Sequence, residues 1–426
     1  MGLVRYMGRG VVALALATQC LAQPTPAVAE PGTDRRASAG RIDLHRWSTD
    51  AAWRSGDRDG VAVQADSIQI RKPVGARVYR DPYGDGRRRH YDVSRWTSPW
   101  VTPGFGLSEL VASWNATTPA GTWLEVQARG RLHSGGTGSW DVLGRWADGD
   151  RTFHRTTFGA QGDDYSSVNV DTLATNGTRR YTAWQLRVTL LRQAGTSRTP
   201  TVTSLGAVAS QVPHQGGVAT SKTSVHRRIE LDVPRYSQMI HRGEYPQWDA
   251  GGEAWCSPTS TAMVVAYWGT GPTPKQYAWV DDSYAQPWVD HAARHTFDYR
   301  YDGAGNWSFN TAYAGRFGLD AFVTRLRSLR TAERYIRGGI PLVASIAFGA
   351  GALDGTPISS SAGHLLVIRG FTKRGDVIVN DPAAARAGGV RRVYDRGQFE
   401  DAWIPTTSGT AYVIRTPRTA LPRSTR

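Results

Sequence analysis

The chain has 426 residues, a formal charge of +15, and 40% hydrophobic against 20% charged residues. That balance excludes a disordered polyelectrolyte and leaves room for two domains of about 100 to 200 residues each. The positive charge comes from arginines scattered along the chain, with one run at Arg87-Arg88-Arg89. No nucleic-acid motif accompanies them, so no nucleic-acid partner is expected, and the charge implies at most a weak contact with an anionic wall polymer.

The first predicted element is a targeting segment. Arg5 and Arg9 form a positive start, and Val11 to Leu21 is apolar but shorter than the roughly 20 residues that span a bilayer. Ala27-Val28-Ala29 is a small-x-small cleavage site, so residues 1–29 read as a signal peptide and the mature chain as secreted. A lipoprotein reading of Cys20 is disfavoured, because Gln19 stands where Gly, Ala or Ser is needed. No later segment is long and apolar enough to span a membrane. Residues 30–40 are polar and read as disordered.

From 41 to 210 short alternating segments are separated by turn signals. Leu124, Val126 and Ala128 share one face, as do Trp184, Leu186, Val188 and Leu190. Gly135-Gly136-Thr137-Gly138, Asp148-Gly149-Asp150 and Asn176-Gly177 mark turns. This predicts an all-β sandwich or jelly roll. Trp96, Trp100, Trp114, Trp123, Trp140 and Trp146 could stack on sugar rings, but aromatics in such a fold more often fill the core.

Residues 211–228 lack periodicity and read as a linker. From 229 to 416 the pattern predicts an α+β domain with an antiparallel sheet, followed by a tail at 417–426. Helices are expected at 258–268, 274–281, 307–317 and 331–337. Strands are expected at 341–348, 364–371, 376–380, 390–394 and 411–415.

With Cys20 removed, Cys256 is the lone thiol of an exported chain, and so inert, intermolecular or reactive. Ser257-Pro258 begins a helix that Gly269 ends, which puts Cys256 at or near the N-cap. Free amides and the positive dipole end at that place favour a thiolate. A thiol nucleophile also needs a base, and His364 stands at the head of the apolar run Leu365 to Ile368. A turn at 372–375 would fold the next strand back and set position 383 opposite His364. Asp381 would then lie about 7 Å from that point, able to accept the imidazole Nδ1–H and fix the tautomer facing the sulfur. Alternation sends Asn380 to the other face. A lone thiol, a histidine at a strand start and an Asp-Pro turn each have ordinary structural explanations. Their combination leaves the catalytic and structural readings about level. The cysteine count and the absence of HExxH or CxxC give no recognisable zinc set, and no metal or cofactor is expected.

Residues 231 to 415 resemble the C39-like family of papain-fold cysteine peptidases. The resemblance rests on Val233-Pro234-Arg235-Tyr236-Ser237-Gln238, Trp255-Cys256-Ser257-Pro258-Thr259-Ser260, Gly363-His364 and Asn380-Asp381-Pro382. It implies Cys256 as nucleophile, His364 as base, Asp381 as its orienter and the Gln238 amide as an oxyanion donor beside the Cys256 N–H. Ser257 departs from the family's usual glycine, and Gln247 is a rival donor. The N-terminal region resembles β-sandwich domains found ahead of such peptidases in actinobacterial secreted proteins. With no ATP-binding motif, the resemblance implies a monomeric secreted hydrolase acting on peptide or protein, including wall peptide. The alternatives are a non-catalytic wall- or glycan-binding protein and an acyl or γ-glutamyl transferase using the same thiol.

Overall fold

A computed structural model describes residues 40–159, 161–162, 164–211 and 218–423. The expected signal peptide with Cys20, the polar segment up to residue 39, the first half of the expected linker and the last three residues lie outside the described residues.

Two antiparallel sheets build the N-terminal half. One runs Ser166–Asn169, Thr172–Thr175, Glu109–Thr117, Thr201–Gln211, Ser67–Ile70, Val61–Gln64, with Arg41–Trp47 also on Thr201–Gln211. The other runs Asp57–Asp59, Arg88–Thr97, Tyr181–Gln193, Thr122–Leu132, Asp141–Trp146, with Gly75–Arg80 on Arg88–Thr97. Leu124, Val126, Leu186 and Val188 from one sheet meet Leu110, Ala112, Leu205 and Ala207 from the other in a common core. Burying these alternating apolar rows drives the two sheets together. Trp96, Trp114, Trp123 and Trp146 are core residues. Trp100 and Trp140 are half-buried, and their faces are occupied by guanidinium groups: Arg131 lies over Trp100, Arg187 over Trp140, and Arg129 over both.

The C-terminal half is a third antiparallel sheet in the order Asp320–Arg325, Thr410–Arg415, Leu342–Phe348, Ser361–Phe371, Val377–Asn380, Arg391–Tyr394. Ile229–Glu230 pairs with the end of Ser361–Phe371. Helices Cys256–Tyr267, Trp307–Gly315, Leu329–Arg337 and Arg396–Thr407 cover it. The expected strands lie within two or three residues of those observed. The expected 274–281 helix is only Pro274–Tyr277, whereas Pro287–Thr296 and Arg396–Thr407 form unexpected helices.

The two halves share a core rather than meeting at a thin contact. Phe309, Ala312 and Tyr313 of the third region pack with Trp114 and Trp146 of the first two sheets. Strand Asp320–Arg325 ends its sheet, and an exposed strand edge leaves backbone groups unpaired. Asn115 closes that edge: its Nδ2 donates to the Ala321 carbonyl at 2.8 Å, and its Oδ1 accepts from the Ala321 N–H at 3.1 Å. Arg46–Asp320 and Arg325–Glu109 ion pairs flank it. The described part of the linker is also held: Glu400 accepts from Ser221, and Glu333 from Thr223 and Ser224. Among the described residues, no helix is long and apolar enough to cross a membrane.

Candidate active site

Cys256 is the first residue of helix Cys256–Tyr267, two residues earlier than the expected start, with Trp255 as its N-cap. The first amides of any helix lack intrahelical acceptors, and Pro258 has no N–H at all. The positive end of the helix therefore falls on the cysteine. The helix is buried from Ser257 to Val265, and Gly269, at φ +69, ends it in the left-handed conformation glycine tolerates. Two hydroxyls fix its position. Ser257 Oγ lies 2.9 Å from Tyr412 Oη, and Ser260 Oγ donates to the Leu365 carbonyl at 3.1 Å. Ser257 thus uses its hydroxyl where glycine would have none. Cys256 itself is partly exposed.

His364 sits where strand Ser361–Phe371 passes from exposed Ala362 and Gly363 into the buried run. The expected hairpin forms. Val367 faces Asn380 and Ile368 faces Val379 before a bulge, and that register continued outward sets position 383 opposite His364. Asp381 follows the last residue of strand Val377–Asn380. Its Oδ1 accepts from His364 Nε2 at 2.8 Å and from the Ala383 N–H at 3.0 Å, and its Oδ2 accepts from Tyr394 Oη at 2.7 Å. The ring nitrogen engaged by the carboxylate is therefore Nε2, not the expected Nδ1. Asn380 points the other way, to Arg369 and the Pro234 carbonyl.

Charge is concentrated here with little water. Burial disfavours the imidazolium, but the Asp381 carboxylate, and after it the nearby Cys256, outweigh it, and His364 is pushed up to about 10. Burial would raise the Asp381 carboxyl, yet His364 and Tyr394 hold it below its ordinary value. Both shifts favour the imidazolium–carboxylate form of the pair, beside the Cys256 sulfur.

Gln238 opens the short helix Gln238–His241 and is buried. Its N–H donates to the Pro382 carbonyl at 2.9 Å, which ties it to the Asp381 turn. Its Nε2 donates to the Glu253 carbonyl at 2.6 Å, on the segment leading to Cys256. The second Nε2 hydrogen remains for another acceptor. Gln247, the rival donor, is exposed in a run of turns. Sequence reasoning missed Tyr394. The only sequence signal for it was its place at the end of the strand expected at 390–394.

Two family descriptions match the chain. Residues 43–210 match the Peptidase C39 N-terminal domain, and residues 230–411 match the Peptidase_C39 like family. No curated protein matches it.

Proposed function

Residues 230–411 belong to the Peptidase_C39 like family, and on that premise we propose that the chain is a secreted cysteine peptidase or amidase. We read the three-sheet arrangement as a β-sandwich followed by a papain-like domain, with bounds near 41–210 and 229–416. The observation that carries the reading is the buried, hydrogen-bonded pair His364 and Asp381 beside a partly exposed cysteine at a helix start. A structural histidine has no need of that arrangement.

In this mechanism the Cys256 sulfur attacks the substrate carbonyl carbon as a thiolate. Negative charge moves onto the carbonyl oxygen, where the Cys256 N–H and the Gln238 amide would receive it. Such donors act in a place water has left, where they are worth most. His364 gives its proton to the leaving amine, the C–N bond breaks, and an acyl-thioester remains on Cys256. Water enters, His364 takes its proton, and hydroxide attack releases the acid and restores the thiolate. Asp381 holds the ring and its charge throughout, and Tyr394 holds Asp381. An amine in place of water would give transfer instead.

The test is a peptide-library digest, including wall peptides, with the unsubstituted chain and Cys256→Ala, with and without added amine. New termini from the unsubstituted chain alone support hydrolysis. Amine incorporation would move the reading to a transferase. Cleavage that persists in Cys256→Ala would end it.

A further inference from the structure

A second group of ionisable side chains lies on the far end of the Gln238 helix. His241 closes that helix, Glu244 follows it, and Asp290 comes from helix Pro287–Thr296. All three are buried, His241 and Asp290 completely. His241 Nδ1 lies 2.7 Å from Glu244 Oε2 and 3.4 Å from Asp290 Oδ2. One ligand atom from each residue falls within 4.8 Å of the others. Among the described residues, neither Asp290 oxygen has a hydrogen-bond partner, and neither does His241 Nε2. A carboxylate removed from water and given no donor is costly, so such groups are normally paired or bound to a metal. Here two carboxyl groups converge on one imidazole, and Asp290 has no other partner.

We propose that His241, Glu244 and Asp290 hold a zinc ion. One nitrogen and two carboxylate oxygens suit zinc, with a water or backbone oxygen as a fourth ligand. Calcium takes six to eight oxygens and magnesium keeps an octahedral shell, and neither favours imidazole. Tetrahedral bonds of about 2.1 Å set ligand atoms about 3.4 Å apart. The His241–Asp290 pair already has that separation. The Glu244 oxygen would retreat by about 0.7 Å to reach it, as the ion takes the place of the proton it shares with His241.

The ion would join helix Pro287–Thr296 to the segment carrying Gln238. Trp255, next to Cys256, packs against His241 with ring centroids 5.9 Å apart. A positioning effect on the oxyanion donor follows, and that part rests on the proposed function. The binding itself does not.

The test uses the full chain carrying Cys256→Ala, so that the thiol cannot take the metal. The protein is stripped with chelator, dialysed against zinc, and analysed for bound metal and thermal midpoint. One zinc per chain and a midpoint raised by several degrees are expected. Adding Asp290→Asn or Glu244→Gln should weaken binding at least about 100-fold, since even outer partners of a ligand cost 10- to 100-fold. Adding Asp381→Asn should leave the stoichiometry at one. Cobalt in place of zinc should give the visible bands of a tetrahedral N/O site, which keeps the proposal testable if a variant fails to fold. No bound metal would overturn it, as would binding that survives Asp290→Asn and Glu244→Gln but is lost with Asp381→Asn. Failure here leaves the Cys256 chemistry untouched, and zinc binding would stand even if Cys256 proved inert.

Discussion

Asp381→Asn separates charge from geometry. The new amide oxygen can still accept from His364 Nε2 and the Ala383 N–H, while its NH2 can donate to Tyr394 Oη, so the contacts at 2.8, 3.0 and 2.7 Å need not be broken. What is lost is the negative charge. Hydrogen bonds with an ionised partner are roughly twice as strong as neutral ones, a difference of about 1 to 1.5 kcal/mol. At 1.36 kcal/mol per tenfold, the rate at Cys256 should fall about 5- to 13-fold at pH 7. The pH profile should move as well. His364 is raised from 6.5 to about 10, so the stability of the charged pair is present in full below pH 6.5 and lost as pH rises through about 10. Without the carboxylate, burial still opposes the imidazolium, so the pH at which the pair loses its proton, and with it the inflection of the profile, should shift toward neutral. The assay is the second-order rate of iodoacetamide alkylation at Cys256 from pH 5 to 11, read by mass spectrometry. An Asp381→Asn profile that overlays the unsubstituted one would refute the electrostatic role assigned to Asp381.

Three further outcomes follow from other contacts. Tyr394→Phe removes one donor to the Asp381 carboxylate, worth about 1.5 to 3 kcal/mol at most. It should slow peptide cleavage up to about 100-fold and shift the midpoint of acid unfolding, because Asp381 is held low and its stabilisation is lost as pH falls. Gln238→Ala should lower kcat about 100-fold with little change in KM, as for loss of an oxyanion donor, whereas Gln247→Ala should leave both unchanged. Asn115→Ala unpairs both backbone groups of Ala321 and should cost about 2 to 4 kcal/mol in urea unfolding without slowing alkylation of Cys256.

How much of this was legible depended on how local the cause was. Cys256 could be placed because Ser257-Pro258 and Gly269 are short-range helix signals, and the helix starts within two residues of them. The His364–Asp381 juxtaposition was readable because a short turn lets the register be counted, although Phe371 pairs with Val377 and it is the bulge beyond Ile368 that restores the counted register. The choice of Nε2 was not, since ring orientation depends on where the helix crosses the sheet. Strand Asp320–Arg325 was missed because the N-terminal sheet and helix Trp307–Gly315 cover it, leaving no polar alternation. Helix Arg396–Thr407 contains Gly397 and Pro405, both poor local signals, and is held instead by Phe399, Trp403 and the buried Glu400. The shared core of the two halves was also hidden. Phe309 and Tyr313 read as an ordinary apolar helix face, and nothing in the sequence says that Trp114 and Trp146 are what they meet.

The central claim is that Cys256 is an activated nucleophile, and its reactivity toward iodoacetamide at pH 6 tests that without knowing the substrate. The account predicts alkylation of Cys256 at least about tenfold faster than of a free cysteine peptide, with the advantage lost in His364→Ala. Alkylation no faster than the free peptide would contradict it.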